Sequence, residues 1–427
     1  MAFDQIIQKL KTPQGNIGIA LLAHCLGFYD FAIFGLLSGV IGDLFFSKQD
    51  ALGSLISGFG VFSVAYLTRP IGGVVFGYIG DKFGRKKSYV AALLLMIIPS
   101  ISVGLLPVYS QIGVLAPIVL VFLRLIHGFA LGGTFSGNVL YMMERTPDQH
   151  RGLVSGLAQA AIGFSFILAS MTVSVGLFFL SKESFYSWGW RIPFLFGTVT
   201  GVVGFMCKYF LQETPVFLNL KETGKISSNP LLDAAKTVKV KALILMGITL
   251  LATVGLYTLM IYYPNYLAKL EGLSLLQITF INTVSGIICI VIAPLSGWFF
   301  DRIGGKLTFV SLSAVCVALC SPVVAYFISL DSFWISVTAV IFLGLFIELY
   351  VGPINTMQVA LFPSHVRSTG MLVAHNLSNS LIGGTSPFVS ALLVQYTGSL
   401  LAPAYYLSAI AMVSFFTLFF YKEHEAD

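Results

Sequence analysis

Long apolar segments alternate with short polar ones along most of the chain. A helix needs about 20 consecutive apolar residues to cross the hydrocarbon core of a bilayer, and twelve segments reach that length. The predicted spans are 17–42, 52–79, 88–108, 115–142, 153–180, 191–211, 241–267, 276–299, 307–329, 333–361, 370–396 and 402–421. Because the segments are continuously apolar rather than alternating in stretches of about ten residues, helices are favoured over a membrane β-barrel. The expected fold is therefore an all-α polytopic membrane protein.

Composition supports this fold class and excludes several others. Of the 427 residues, 57% are hydrophobic and 10% are charged, whereas soluble proteins carry about 25% charged residues. A surface so poor in charge predicts a lipid bilayer around the protein and excludes a soluble enzyme, a disordered chain or a nucleic-acid-binding protein. The five cysteines lie in apolar segments without the spacing of a metal site or disulfide framework, so no metal or cofactor is predicted.

The distribution of positive charge predicts the orientation of the spans. All but six of the 24 Lys and Arg residues lie near the termini or in loops that follow odd-numbered spans, or at their edges. The exceptions are Lys48, Lys182, Arg191 and Lys269 on the other side, and Arg69 and Arg124 inside spans. Cytoplasmic loops carry the excess of Lys and Arg in membrane proteins, so both termini are expected in the cytoplasm.

The chain divides into two similar halves. The longest polar stretch, 212–240, is predicted to be a cytoplasmic linker between an N-terminal six-helix bundle, 1–211, and a C-terminal one, 241–427. A loop of the pattern G-x-x-x-D-[KR]-x-G-x-K begins at Gly77 and again at Gly297, 220 residues later. Tandem repeats that enclose a central site are typical of secondary transporters, which predicts two pseudo-symmetric bundles.

The first of these loops is the signature of the major facilitator superfamily, and other segments narrow the resemblance. They are Tyr29-Asp30-Phe31, Arg69-Pro70-Ile71-Gly72-Gly73, His127-Gly128-Phe129-Ala130-Leu131-Gly132-Gly133, Trp188-Gly189-Trp190-Arg191, Glu213-Thr214-Pro215, Leu361-Phe362-Pro363 and Gly383-Gly384-Thr385-Ser386-Pro387. Together they resemble the metabolite:proton symporters, which include carriers for proline and betaine, α-ketoglutarate, citrate and shikimate. The resemblance covers nearly the whole chain. It implies a monomeric secondary transporter of the bacterial inner membrane, with a small-molecule substrate and protons as partners.

The chain departs from the family pattern at four positions. Members commonly carry Glu where this chain has Gly27, Thr134 and Ala360, and Gln where it has His127. Because three carboxylates of the pattern are missing, proton coupling and substrate identity do not follow from the resemblance alone.

Four charged residues fall deep inside predicted spans, namely Asp30, Arg69, Arg124 and Glu348. An ionisable residue in the middle of a membrane helix is costly and survives when it is paired or functional. Two acids and two bases can form an ion-pair network that only orients helices. In the superfamily, spans 1, 4, 7 and 10 line a central cavity, so the resemblance implies that Asp30, Arg124 and Glu348 converge on the substrate.

Chemistry gives these residues different candidate roles. Asp30 and Glu348 are proton-coupling candidates because a carboxyl group can carry a proton, and His127 is a third because imidazole titrates near neutral pH. Arginine stays charged and offers a planar fork that matches a carboxylate. Arg124 is the first candidate for a substrate carboxylate and Arg69 the second. A structural salt bridge at Arg69 is an equal alternative.

Other polar residues inside the spans are weaker candidates for substrate binding. They are His24, Thr134, Tyr257, Asn376 and Asn379. Each can instead form a hydrogen bond to a neighbouring helix, and tyrosines are also common in the interfacial belt.

The repeated loops predict a gate on the cytoplasmic side. Asp81 and Asp301 end spans 2 and 8, where each carboxylate can cap the positive end of a neighbouring helix or pair with Arg145 or Arg151. The resemblance implies a latch that holds this side closed while the two halves rock about the central site. The gating candidates are Gly77, Asp81, Gly84, Arg85, Arg145, Arg151, Asp301 and Arg302. A basic topology anchor is the alternative, and the two are compatible.

The leading hypothesis is a proton-coupled importer of a small carboxylate-bearing metabolite, either amino-acid or betaine-like or an organic acid. Zwitterions are slightly favoured because an acid and a base are both available inside the spans. A proton-independent facilitator or exchanger is the main alternative, and an exporter of drugs or siderophores is a weaker one. An enzyme is not expected, since no nucleophile–base motif or phosphate loop stands out.

Overall fold

The computed structural model describes residues 12–46, 51–270, 272–303, 306–330 and 332–422, which are almost entirely helical and contain no strand. Twelve long helices, α1 to α12, follow one another along the chain. They are Pro13–Leu36, Ala51–Phe83, Arg85–Leu105, Leu115–Glu144, Arg151–Phe179, Arg191–Phe210, Lys239–Leu267, Leu275–Arg302, Lys306–Ile328, Phe333–Ala360, Ser364–Thr397 and Ala402–Leu418.

These helices match the twelve predicted spans. In the described part of the chain, eleven are long and apolar enough to cross a membrane by length and composition, and α12 is a shorter apolar helix. The structure therefore confirms the predicted all-α polytopic fold, with span ends shifted by a few residues. Lys9, Lys11, Lys48, Gly304 and Gly305 lie outside the described residues.

Three of the later helices are interrupted near their middle. A π-helical turn, Thr258–Tyr262, precedes Pro264 in α7, and another, Asn379–Gly383, interrupts α11. The α-helical geometry of α10 is broken after Val351, where Gly352 and Pro353 follow. Proline cannot donate the backbone hydrogen bond of a regular helix, and interruptions of this kind mark sharp bends. All three lie in helices that surround the centre of the molecule.

Two short helices occupy the predicted linker, Pro215–Glu222 and Pro230–Thr237. Each begins with a proline that follows a capping residue. The Thr214 hydroxyl accepts a hydrogen bond from the Phe217 amide, and the Asn229 side chain accepts one from the Leu232 amide. The predicted linker is therefore partly helical. Its role as the boundary between the halves stays a prediction.

Two helix pairs join the first six helices to the last six. Helix α5 packs along α8, and α2 packs along α11, so we refer to the α5–α8 seam and the α2–α11 seam. A methyl group on Gly152 or on Gly297 would overlap the carbonyl oxygen of the other residue. Small residues let helix backbones approach this closely in membranes.

We expect Gly297→Ala to lower the stability of the protein. The added carbon overlaps the Gly152 carbonyl, and overpacking costs about 1–3 kcal/mol, so the melting temperature in detergent should fall. Gly18→Ala is the matched control, because an added carbon at Gly18 meets nothing within 4 Å. Equal melting temperatures for the two variants would contradict a close contact at this seam.

Candidate functional site

A small cavity lies at the centre of the bundle, between helices of the first half and helices of the second half. We call it the central cavity. The space inside it that the centre of a water molecule can occupy is about 20 Å³, which is room for roughly one water molecule. Its walls are Phe28, Arg69, Phe135, Gln159, Ile162, Thr249, Ala252, Thr253, Leu256, Tyr257, Val351, Ile354, Asn355, Gln358, His375 and Asn379.

Several polar atoms around the central cavity have no hydrogen-bond partner among the described residues. They are both amide atoms of Asn355, Oε1 of Gln358, Nδ1 of His375 and Oδ1 of Asn379. A buried polar atom without a partner costs about 1–3 kcal/mol. The second-half wall of the cavity is therefore well suited to binding a polar ligand.

Arg69 supplies the positive charge of the central cavity. It is 2% exposed, its Nε donates to Oδ1 of Asn376 at 3.1 Å, and its guanidinium carbon lies 4.9 Å from the centre of the Tyr66 ring. The Asn376 amide is itself fixed, because its Nδ2 donates to the carbonyls of Gly132 and Leu372. Asn376 thus fixes the position of the Arg69 side chain, and the planar guanidinium group lies at the wall of the cavity with N–H donors available for a ligand.

The charge of the cavity is unbalanced. Among the described residues that form its walls, Arg69 carries the one permanent charge and none is Asp or Glu. In the part of the chain that the structure describes, no three His, Cys, Asp or Glu side chains come together as metal ligands. The cavity is suited to an anionic group rather than to a metal cation.

Arg124, the first candidate for a substrate carboxylate, does not line the central cavity. Its guanidinium carbon lies 4.0 Å from the centre of the Phe34 ring and 5.9 Å from that of Phe62. Its Nη1 is 2.9 Å from Nδ1 of His127, and its Nη2 donates to the Phe62 carbonyl at 3.3 Å. The structure encloses Arg124 within the first six helices, and its substrate role stays a prediction.

The contact with Arg124 fixes the tautomer of His127. Arginine can only donate, so Nδ1 of His127 accepts and the neutral ring carries its proton on Nε2. Nε2 is buried without a partner among the described residues. A second positive charge beside Arg124 is unfavourable, so this arrangement does not favour a proton-carrying role for His127.

Asp30 faces away from the central cavity. Its Oδ2 accepts a hydrogen bond of 2.6 Å from the Ser100 hydroxyl on α3, and its Oδ1 packs against Gly197 on α6. The carboxyl is buried and within electrostatic range of Arg124. Asp30 is therefore placed between three helices of the first half, one layer behind the cavity.

Glu348 is also buried one layer behind the cavity, on α10. Neither carboxyl oxygen has a hydrogen-bond partner among the described residues, and Cys289 of α8 lies beside it. The Cys289 thiol donates to the Gln159 carbonyl at 3.1 Å. Because Gln159 lines the cavity, this group connects the acid to the cavity across the α5–α8 seam.

The weaker candidates separate into three groups. Tyr257 and Asn379 line the central cavity, and Asn376 supports Arg69. His24 and Thr134 instead line a second small cavity, which we call the His24 chamber.

Sequence reasoning missed several residues of the cavity wall. They are Phe28, Phe135, Gln159, Thr249, Thr253, Asn355 and Gln358. The three amides carried a usable signal, since Asn and Gln inside a membrane helix normally bind another helix or a ligand. The aromatic residues carried none, because phenylalanine is common throughout the spans.

The repeated loops hold helix ends across both seams. Asp81 accepts from the amides of Ser368 and Thr369 at 3.1 and 2.7 Å, at the start of α11. Asp301 accepts in the same way from Gly152, at 2.7 Å, and from Leu153 at the start of α5. Each carboxylate therefore caps the positive end of a helix in the other half. The capping expected from the sequence is present, while its role in gating stays a prediction.

Arg85 links the first loop to its surroundings. Its Nη1 lies 2.8 Å from Oδ1 of Asp81, its Nη2 donates to the Ser364 carbonyl at 2.8 Å, and its Nε is 3.4 Å from Glu144. Glu144 also accepts from Thr214 at 2.7 Å and lies 3.5 Å from Arg367. Glu144 was absent from the predicted gate, although it connects both halves and the linker.

The other gating candidates have different partners from those expected. Arg145 donates to the Glu213 carbonyl at 2.8 Å, and Arg151 pairs with Asp148 at the surface. Neither forms the alternative ion pair with Asp81 or Asp301, whose carboxylates bind backbone amides instead. Arg302 lies 3.9 Å from the centre of the Trp298 ring.

The two glycines of the first loop serve different purposes. Gly84 has a φ of 118°, a conformation that other residues rarely adopt, at the turn between α2 and α3. Gly77 has no such constraint, and its Cα instead lets the Thr369 backbone approach closely.

The opposite end of the bundle is bridged as well. Nδ2 of Asn265 donates to the Gly35 carbonyl at 3.0 Å, and the Ser63 hydroxyl donates to the Gly384 carbonyl at 3.1 Å. Contacts between the two halves are therefore present on both sides of the central cavity.

Comparison with known proteins identifies the family to which this architecture belongs. The family model described as Major Facilitator Superfamily matches residues 19–384 and 245–427. The chain belongs to the major facilitator superfamily. It is accordingly a multi-pass membrane transporter and not an enzyme, as the sequence predicted.

Relatives of similar length support the narrower resemblance. A "Putative proline/betaine transporter" of Staphylococcus aureus (strain MSSA476) is 34% identical over 413 residues, covering 96% of this chain and 88% of the relative. The "Glycine betaine/proline/ectoine/pipecolic acid transporter OusA" of Dickeya dadantii (strain 3937) is 31% identical over 424 residues, covering 95% and 83%. The resemblance to proline and betaine carriers is thus confirmed.

A solved structure shares the fold. The proton:xylose symporter XylE bound to 6-bromo-6-deoxy-D-glucose superposes with a TM-score of 0.76 at 18% identity, covering 96% of this chain and 97% of XylE. At this identity the likeness concerns the fold, which is that of a twelve-helix transporter.

We expect Asp301→Ala to weaken the α5–α8 seam. The change removes two hydrogen bonds from backbone amides to a carboxylate, each worth about 1.5–3 kcal/mol, so the melting temperature in detergent should drop. The melting temperature of Asp301→Asn, which keeps one acceptor oxygen, should lie between those of the wild type and Asp301→Ala. Asp148→Ala is the control, because that carboxylate is 86% exposed. A seam that needs no carboxylate cap would leave Asp301→Ala as stable as this control.

Proposed function

We propose that this chain imports a small zwitterion, with a carboxylate and an alkylated ammonium group, by proton symport across a bacterial inner membrane. Both termini face the cytoplasm in this proposal, and the two halves rock about the central cavity. The observation that carries it is that Arg69 bears the one permanent charge among the described residues of the cavity wall, where several other polar atoms lack partners. The names of the relatives support the same substrate class.

The carboxylate of the substrate binds Arg69 in this proposal. The guanidinium fork matches a carboxylate with two parallel hydrogen bonds, and Nδ2 of Asn355 offers a further donor on the opposite wall. Arg69 belongs to the first half and Asn355 to the second, so one carboxylate can connect both halves once the walls have moved apart enough to hold the substrate.

The ammonium group lies against aromatic rings in this proposal. Phe28, Phe135 and Tyr257 line the cavity, and the faces of aromatic rings attract alkylated ammonium groups. Such a group has few or no N–H donors, so it needs no carboxylate partner. This argument replaces the expectation from the sequence, which relied on an acid and a base at one site.

Two acids are available for the proton. Asp30 and Glu348 are both buried one layer behind the cavity, and each is neutralised by taking up one proton. Neither touches the cavity, and the acids of the family pattern are missing at Gly27, Thr134 and Ala360. These facts favour a proton-independent facilitator or exchanger as the second candidate function.

We expect Arg69→Lys to weaken the binding of trimethylammonioacetate about 10- to 150-fold, which corresponds to the loss of one hydrogen bond to a charged group. Binding to purified protein, measured by calorimetry, tests this. Arg191→Lys is the control, because Arg191 donates to the Leu106 carbonyl at a loop away from the cavity. A large loss of affinity in Arg124→Lys, together with normal affinity in Arg69→Lys, would instead assign the substrate carboxylate to Arg124.

We expect an inward proton gradient to raise uptake of the same substrate into proteoliposomes above the rate without a gradient. Glu348→Gln and Asp30→Asn each mimic a protonated acid. If one of these acids couples transport to protons, its variant should lose uptake against a concentration gradient of the substrate. The same variant should still exchange labelled for unlabelled substrate. Wild-type uptake that is indifferent to the gradient would reject symport and support the facilitator.

A further inference from the structure

The His24 chamber lies beside the central cavity and within the first half alone. Its walls come from α1, α3 and α4 and include His24, Phe28, Tyr89, Thr134, Phe135 and Asn138. The space inside it that the centre of a water molecule can occupy is about 10 Å³, close to the minimum for one water molecule. No Asp, Glu, Lys or Arg lines it in the described part of the chain.

Two buried polar atoms at this chamber lack partners. Nε2 of His24 and Oδ1 of Asn138 have none among the described residues, although the two residues are 4% and 0% exposed. Nδ2 of Asn138 donates to the Ala20 carbonyl and to the Tyr89 hydroxyl, each at 2.8 Å. The amide orientation is therefore fixed, and Oδ1 is left as an acceptor.

This pair of atoms suits a hydroxyl group. A hydroxyl can donate to Oδ1 of Asn138 and form a second hydrogen bond with Nε2 of His24. A charged group would be buried there without a counter-charge, which is costly. The chamber therefore favours a neutral hydrogen-bonding substituent.

Two phenylalanine rings separate the chamber from the central cavity. Phe28 and Phe135 line both spaces, and their ring centres lie 5.5 Å apart, edge to face. The Phe135 ring is stacked on His375 of the second half, with centres 4.8 Å apart, and its centre lies 5.2 Å from that of His24. Ring contacts, rather than hydrogen bonds, hold the partition in place.

We propose that Phe135 sets the length of the substrate by closing off the His24 chamber, and that the chamber is a subsite for the hydroxyl group of a longer zwitterion. This inference rests on the proposed function, because it places the substrate between Arg69 and the aromatic wall. When the Phe135 ring is displaced or removed, the two spaces join. The carboxylate stays at Arg69, the ammonium group takes the space of the ring beside Phe28, and only the hydroxyl group reaches His24 and Asn138.

Three zwitterions test this inference. Trimethylammonioacetate is short, 4-(trimethylammonio)butanoate is longer, and the 3-hydroxy derivative of the butanoate adds one hydroxyl. Inhibition constants are measured against labelled trimethylammonioacetate on full-length protein. The wild type should favour the short compound. Phe135→Ala should improve both longer compounds about tenfold or more relative to the short one, the usual scale for pocket contacts of this size.

The hydroxyl subsite has its own measurement. In Phe135→Ala, the hydroxy compound should bind more tightly than the butanoate, and adding His24→Leu should abolish that difference while leaving the butanoate unchanged. Phe166→Ala is the control for loss of a buried ring, because Phe166 is buried on α5 and lines neither space. Phe135→Leu repeats the comparison with more of the packing retained.

The outcomes separate this inference from the proposed function. A wild type that does not bind trimethylammonioacetate would overturn the proposed function. Normal wild-type binding with an unchanged order of the three compounds in Phe135→Ala and Phe135→Leu would overturn the role of Phe135 alone. An improvement of the two longer compounds in Phe166→Ala as large as that in Phe135→Ala would show that general loosening, rather than loss of the partition, is responsible.

Discussion

The structure depends on one constraint, which is that polar groups within a bilayer find partners inside the protein because no water is available there. Regular helices satisfy most backbone groups themselves, but the first amides of each helix remain unpaired. At α5 and α11 these amides are bound by Asp301 and Asp81, which belong to the other half. The same bonds that complete two helix ends therefore also hold the two halves together.

Glycine packing and helix capping coincide at both seams. Gly152 donates its amide to Asp301 and also packs against Gly297. At the other seam, Thr369 donates to Asp81 and packs against Gly77. Separation at either place breaks a few hydrogen bonds and a contact between small residues, without pulling a large side chain from its pocket. Contacts of this kind suit surfaces that part and rejoin as units.

The sequence was sufficient to predict the fold and much less of the site. Twelve apolar segments and a repeated loop are features of local pattern, so the spans and the capping aspartates could be identified without coordinates. That Arg69 rather than Arg124 lines the cavity could not be predicted, because it depends on how far along its helix each arginine lies and not on which face of the helix it occupies. Arg124 and Phe135 are eleven residues apart on one face of α4, about 16 Å along the axis, and the cavity lies at the level of Phe135.

Irregular backbone explains the other omissions. Asn355 and Gln358 follow the break in α10 at Gly352 and Pro353, and a helical wheel drawn across such a break misplaces every later residue. Asn379, which was a candidate from the sequence, begins the π-helical turn of α11, so its place in the wall does not follow from a regular helical wheel either. The polar wall of the cavity is therefore formed mainly where the periodicity of the sequence is least reliable.

The charges of the centre suggest how ligand and protein complement one another. Closing a cavity around Arg69, with no acid among the described residues of its wall, leaves a cation away from water, which is costly. A carboxylate ligand provides the missing counter-charge and connects the two halves, so in the proposed function it stabilises the closed form. Asp30 and Glu348, one layer behind, are too enclosed to replace that carboxylate without movement of the helices. Return of the empty transporter would therefore require those helices to move or Arg69 to regain contact with water, and that requirement links closure to the presence of substrate.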